Sequence, residues 1–174
     1  MAGYEDAMRE YNRLLNTYKG KTVDELLPIT GDNEIDFLFA IELAVQQKSE
    51  RVGAGNLTEE VRIVLAVEGL EREVNNGGYS QFFTNSSGEY APVIVDALLR
   101  IGCPETAGIT SRAIAVLGIT DLSPESLHAA CTTEDDARDA ALDECDRMYY
   151  TVGTENIGGQ LIEFVKANKA MIQP

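Results

Sequence analysis

The chain has 174 residues, 29 of them acidic and 14 basic, for a formal net charge of −15. Its length suits one globular domain with a real core, and its 44% apolar and 25% charged residues exclude a disordered chain. A sequence pI of about 4.3 excludes a nucleic-acid binder built on a basic stripe, argues against anionic membrane surfaces and favours basic partners.

In chain order, Tyr4, Met8, Tyr11, Leu14, Leu15 and Tyr18 recur every three or four residues and predict a first helix, closed by Lys19-Gly20-Lys21. Thr22 and Glu25 form a capping-box pattern for a short turn expected to end at Pro28. Asp32 is the expected cap of the next helix, which carries Ile35, Leu38, Phe39, Glu42 and Val45 on one side. Phe37, Ile41 and Leu43 make that helix apolar nearly all round, so it is expected deep in the core. Gly53-Ala54-Gly55-Asn56 reads as a loop and hinge. Thr58 or Asn56 then caps a helix through Val61, Val64, Leu65, Glu68 and Arg72, which Asn75-Asn76-Gly77-Gly78 ends abruptly. Tyr79 to Asn85 is short and aromatic. The next helix is expected from about Glu89 to Ile101, with Pro92 in its first turn and Gly102 as its stop. Pro104 opens a helix through Ile109, Ala113 and Val116 that stops at Gly118. Ser123-Pro124-Glu125 is a cap followed by proline at the first helical position. Thr133 is expected to cap an acidic helix reaching about Tyr150. A last helix carries Ile157, Leu161, Phe164 and Val165. No stretch sustains strand alternation. The expected fold is all-α, a single compact helical domain of seven to nine helices. Residues 1–55 are expected to form an N-terminal helical region packed on a core of residues 56–174.

The motifs exclude several chemistries. His128 is the one histidine, so a multi-histidine zinc site and a di-iron site with paired Glu-x-x-His are both impossible. Glu125-Ser126-Leu127-His128 therefore reads as a surface or capping segment, and no metal or cofactor is expected. Gly53-x-Gly55 lacks the remainder of a dinucleotide fingerprint. Cys103, Cys131 and Cys145 show no C-x-x-C spacing and read as reduced thiols of a cytoplasmic protein. The first residues lack the basic flank and apolar stretch of a signal peptide, and no apolar run has the length of a membrane span.

Two segments carry candidate sites. Asn75, Asn76, Gly77, Gly78, Tyr79, Gln81 and Asn85 bring amides, a tyrosine and paired glycines together. They form either a small pocket or a helix–turn–helix joint in which Phe82 and Phe83 fill the core. No nucleophile–base pair lies there, so the segment by itself does not suggest catalysis. The second candidate is the acidic helix. Residues 121–163 hold eleven acids and two bases, a net −9. On a helix, Asp135, Asp136, Asp139, Asp143 and Asp146 share one face, and Ala137, Ala141, Leu142, Cys145, Met148 and Tyr149 lie opposite. From Asp135 to Asp146 the axial charge density is about one per 3–4 Å, close to that of one DNA strand, at about 3.4 Å. Glu59, Glu60, Glu71 and Glu73 are further candidates for such rows. The bland alternative is a solvated face. The like-charged pairs Asp135–Asp139 and Asp139–Asp143 disfavour the helix by a few tenths of a kcal/mol each, which favours a partner role.

The segment Glu73-Val74-Asn75-Asn76-Gly77-Gly78-Tyr79-Ser80-Gln81-Phe82-Phe83-Thr84-Asn85-Ser86-Ser87-Gly88-Glu89 resembles the signature of a bacterial domain-of-unknown-function family. Ala97 to Gly102 and Leu142 to Tyr150 resemble later parts of its pattern, and the resemblance spans roughly residues 58–170. That family is associated with a nineteen-kilodalton DNA-mimic protein. The resemblance implies an all-α fold, an acidic surface, and a member that occupies the DNA-binding site of a basic regulatory protein. It implies no catalytic residues. It also suggests a homodimer, for which the sequence offers no heptad seam. Two other readings stand beside it: an immunity or inhibitor-type protein against a basic toxin or nuclease, and a small ligand-binding protein or enzyme using the Asn75–Asn85 joint.

Overall fold

In the computed structural model, residues 2–31, 33–151 and 155–173 are described. Nine α-helices and two 3-10 turns, with no strand among the described residues, make the fold all-α. The chain divides into two units, residues 1–65 with 161–174 and residues 66–160.

The first unit holds α1 (Ala2–Tyr18), α2 (Val23–Thr30), α3 (Glu34–Val52), the first turns of α4 (Glu59–Thr84) and most of α9 (Ile157–Ala167). The Glu25 carboxylate accepts from the Thr22 N–H at 2.8 Å and opens α2 as expected. Pro28 does not end α2. Its missing N–H would have reached only a first-turn carbonyl, and Gly31 still donates to Leu27 at 3.1 Å. Asp32 lies outside the described residues. Asn33 caps α3, its side-chain oxygen accepting from Ile35 N (3.1 Å) and Asp36 N (3.2 Å). Phe37, Ala40, Ile41, Leu43, Ala44 and Val45 are the buried part of α3, whereas Ile35 is 79% exposed. Phe37, Ile41 and Leu43, which widen the apolar face, are all buried, Leu38 and Phe39 are half-buried, and α3 packs on α1 and α2. Of the two candidate caps of α4, Thr58 serves, accepting from Val61 N at 3.3 Å; Asn56 donates instead to the Val52 carbonyl at 2.8 Å. Thr58 donates to the Met171 carbonyl (3.0 Å) and Lys169 pairs with Asp24 (2.7 Å), which ties the last residues to this unit.

The second unit holds the rest of α4, a 3-10 turn at Ser86–Tyr90, α5 (Ile94–Ile101), α6 (Pro104–Val116), α7 (Pro124–Thr132) and α8 (Asp136–Thr151). The helix expected from Glu89 begins only at Ile94. A Cβ on Gly88 would sit 2.8 Å from the Phe83 carbonyl oxygen, so the chain folds back tightly here, and Pro92 withholds a donor from any continuing ladder. α5 packs on α6, and α6 on α8. α5 closes in a Schellman motif, with Cys103 N donating to Leu98 O at 2.9 Å and Gly102 N to Leu99 O at 3.1 Å. Tyr79, Phe82 and Phe83 are almost fully buried and centre the core; truncating either phenylalanine to alanine costs about 3–5 kcal/mol. No helix among the described residues is long and apolar enough to cross a membrane.

Candidate functional site

Both candidate segments fall in the second unit, and α8 brings them together. Helix α4 breaks at Gly77 (φ −162°, ψ 24°) and Gly78 (φ 76°, ψ −176°). The break frees the Tyr79 N–H from the helical ladder, and Asp146 of α8 accepts it at 2.8 Å. A Cβ on Gly78 would lie 2.2 Å from the other oxygen of the same carboxylate. Positive φ and the close carboxylate both demand glycine there. The Tyr79 ring packs edge-on to Tyr149 and stacks on Phe83, and its hydroxyl meets Thr110 Oγ1 at 2.8 Å. The Tyr150 hydroxyl donates to the Val74 carbonyl at 2.6 Å.

The amides of the motif bond inward. Gln81 Nε2 (2.8 Å) and Asn85 Nδ2 (2.7 Å) donate to one oxygen of Glu73, and Ser87 Oγ (3.2 Å) donates to the other. Burial raises the Glu73 pKa, but these three donors and the nearby Arg72 outweigh it, so the carboxyl lies below its ordinary value. Asn75 Nδ2 returns to the Glu71 carbonyl at 2.7 Å. Asn76 is exposed. Glu71 accepts from the Tyr149 hydroxyl, and burial pushes its pKa up to about 7. Glu71 and Glu73 therefore belong to the interior of the joint and not to an acidic surface row. Burial also raises Asp146, and Asp143 adds to the shift, while the Tyr79 N–H and Arg147 act against it.

The five aspartates of the acidic helix occupy different settings. Asp135, not Thr133, caps α8, accepting from Ala137 N (3.1 Å) and Arg138 N (3.0 Å). The Thr133 hydroxyl instead donates to the Ala129 carbonyl at 2.7 Å, in the last turn of α7. Arg138 turns its guanidinium onto the Ala130 and Thr133 carbonyls and onto Asp139, 2.6 Å away. It thereby closes the negative end of α7. Asp136, Asp139 and Asp143 are exposed, and Asp146 is half-buried at the joint. Glu144 is paired with Arg147 at 2.5 Å. Glu155 caps α6 from a distance, accepting from Glu105 N (2.7 Å), Thr106 N (2.9 Å) and Thr106 Oγ1 (2.7 Å). His128 is exposed.

A family model described as DMP19-like protein matches residues 55–168. The chain belongs to the DMP19-like family. No curated protein and no solved structure matches it. The matched residues take in the joint and all of α8, whereas α1, α2 and α3 lie before them. Sequence reasoning had no signal for Glu73, Glu155 and Asp146 as internal anchors, because their partners lie 8 to 67 positions away along the chain.

Proposed function

We propose that this protein is an acidic, non-enzymatic binding module that acts as a DNA mimic, occupying the DNA-binding site of a basic regulatory protein. The observation that carries the reading is the row Asp135, Asp136, Asp139 and Asp143, all exposed, in a chain of the DMP19-like family. These four carboxylates span about 12 Å of helix, about one charge per 3–4 Å, near the spacing along one DNA strand. The guanidinium nearest the row, that of Arg138, is 9% exposed and pairs with Asp139 at 2.6 Å, so the net charge of the row rests on Asp135, Asp136 and Asp143. Asp146 is assigned to the joint and left out of the row. An inhibitor of a basic toxin or nuclease would use the same face, and the identity of the partner separates the two. Gln81 and Asn85 spend their amides on the Glu73 carboxylate and Asn75 on the Glu71 carbonyl, which favours the α8 face over an Asn75–Asn85 pocket.

The test is capture of bound proteins from a cell lysate at low salt, with and without excess duplex DNA. A basic DNA-binding protein retained without DNA and released by it is the expected result. Capture that ignores both DNA and salt overturns the reading, because exposed carboxylates act through a field screened within about 8 Å at physiological ionic strength.

A further inference from the structure

The first unit contains a groove that precedes the family-matched residues. Gln47 Nε2 donates to the Leu15 carbonyl at 3.3 Å, which sets α1 and α3 side by side in register. Tyr11, Leu15 and Lys19, four apart, accompany Leu43, Gln47 and Arg51, also four apart. Between them lies a cavity of about 470 Å³, within the range of small-molecule sites. Three features give it a chemistry. Leu15, Leu43 and the Tyr11 ring supply an apolar wall. Lys19 and Arg51 line the same cavity and make no ion pair among the described residues, although acids outnumber bases 29 to 14 in this chain. Gln47 Oε1 is enclosed with no hydrogen-bond partner, the one such side-chain atom among the described residues. A buried acceptor left in this state is costly, and a native structure is expected to satisfy it. The carboxylate of Glu50 also lines the cavity, which leaves two cations against one anion.

We propose that this groove binds an acylated apolar amino acid through its free carboxylate, as presented by an N-acyl amino acid or by the C-terminal residue of a peptide. The amide N–H of the ligand donates to Gln47 Oε1. Terminal amide torsions are broad, so rotation of the Gln47 amide, at the expense of its 3.3 Å bond to the Leu15 carbonyl, brings that oxygen to a donor in the groove. The ligand carboxylate pairs with Lys19 and Arg51. Its side chain lies on Leu15, Leu43 and Tyr11. A single ligand thus answers the orphaned acceptor, the unpaired cations and the apolar wall. An aliphatic carboxylate without the amide would leave the acceptor unmet.

The test uses the full ¹⁵N-labelled chain titrated with N-acetyl-L-leucine and observed by NMR at the Gln47 side-chain amide and the Arg51 Nε–H. Both signals should shift together and saturate. N-acetyl-L-leucinamide, which lacks the carboxylate, and 2-acetoxy-4-methylpentanoate, in which an ester oxygen replaces the N–H, should each bind about tenfold more weakly or worse. A short peptide ending in leucine distinguishes the source: tighter binding assigns a peptide terminus, equal binding a free N-acyl amino acid. Lys19→Gln with Arg51→Gln, both at exposed positions, should weaken N-acetyl-L-leucine while leaving the fold intact. Gln47→Leu should erase the preference for amide over ester. No shift at millimolar ligand, or equal binding of the acid and its amide, overturns the proposal.

Discussion

Asp146 holds Tyr79 by its backbone, with one carboxylate oxygen 2.8 Å from the Tyr79 nitrogen and the other in the space a Cβ on Gly78 would need. One side chain of α8 thereby caps the second half of a helix broken 67 positions earlier. The paired glycines are what let it approach. The break, the cap and the buried aromatic cluster form one mechanical unit, and it supports the exposed acid row on the same helix.

Gly78→Ala should be among the most damaging small changes in the chain. Alanine at φ 76°, ψ −176° sits in a region open essentially to glycine alone and costs about 1–3 kcal/mol, and the Cβ would press on Asp146, giving about 2–4 kcal/mol in all. Gly77→Ala should cost less, because its φ of −162° suits any residue and its Cβ meets only the Gln81 side chain, which can shift at the expense of its bond to Glu73. Urea unfolding of both variants checks the order, and equal midpoints would refute the close-approach argument.

Asp146→Ala leaves a half-buried N–H without its acceptor and should lose about 1–3 kcal/mol, while Asp146→Asn keeps an oxygen in place and should lose less. Combined with Gly78→Ala, the Asp146→Ala change also removes the clash. The double variant should therefore be more stable than the summed single losses imply. Strict additivity in a denaturation cycle would count against direct contact.

Glu71 predicts a pH dependence of stability. In the folded state it keeps its proton up to about pH 7, against an ordinary value of 4.5. Between these values the unfolded chain binds fewer protons than the folded one, so stability falls as pH rises. The effect is present in full below the ordinary value and is lost through about pH 7, and it amounts to ~3 kcal/mol. Glu71→Gln should flatten this slope. Unfolding free energies of wild type and variant measured from pH 4.5 to 8 should diverge; parallel curves would exclude Glu71 as the source.

Asp136→Asn, Asp139→Asn and Asp143→Asn together should slow association with a captured basic partner. Salt sensitivity should fall at the same time, with little change in unfolding midpoint, because the three side chains are exposed. Arg138 keeps its carbonyl partners Ala130 and Thr133 in this variant, so the α7–α8 corner should hold. Stopped-flow association at two ionic strengths makes the measurement, and an unchanged on-rate would dismiss the acid row.

The sequence by itself determined what is local. Apolar residues recurring every three or four positions marked the helices. Ser123 before Pro124, Gly102 after Ile101 and the Asn75–Gly78 run marked helix ends, since a cap or stop acts within a few residues of itself. The total charge, and with it the leaning toward a basic partner, was also fixed there. Only the tertiary structure decided which acids face solvent. Asp135, Asp136, Asp139, Asp143 and Asp146 share one face of a helical wheel. In the fold, Asp146 turns to the Tyr79 amide, Asp136, Asp139 and Asp143 stay exposed, Glu73 is buried beside the α4 break, and Glu71 is half-buried against Tyr149. Likewise, no local pattern announces that residues 161–174 join the first 65. A carboxylate goes where it finds donors that would otherwise stay unpaired, and those donors are set by contacts between distant segments, on which sequence spacing is silent.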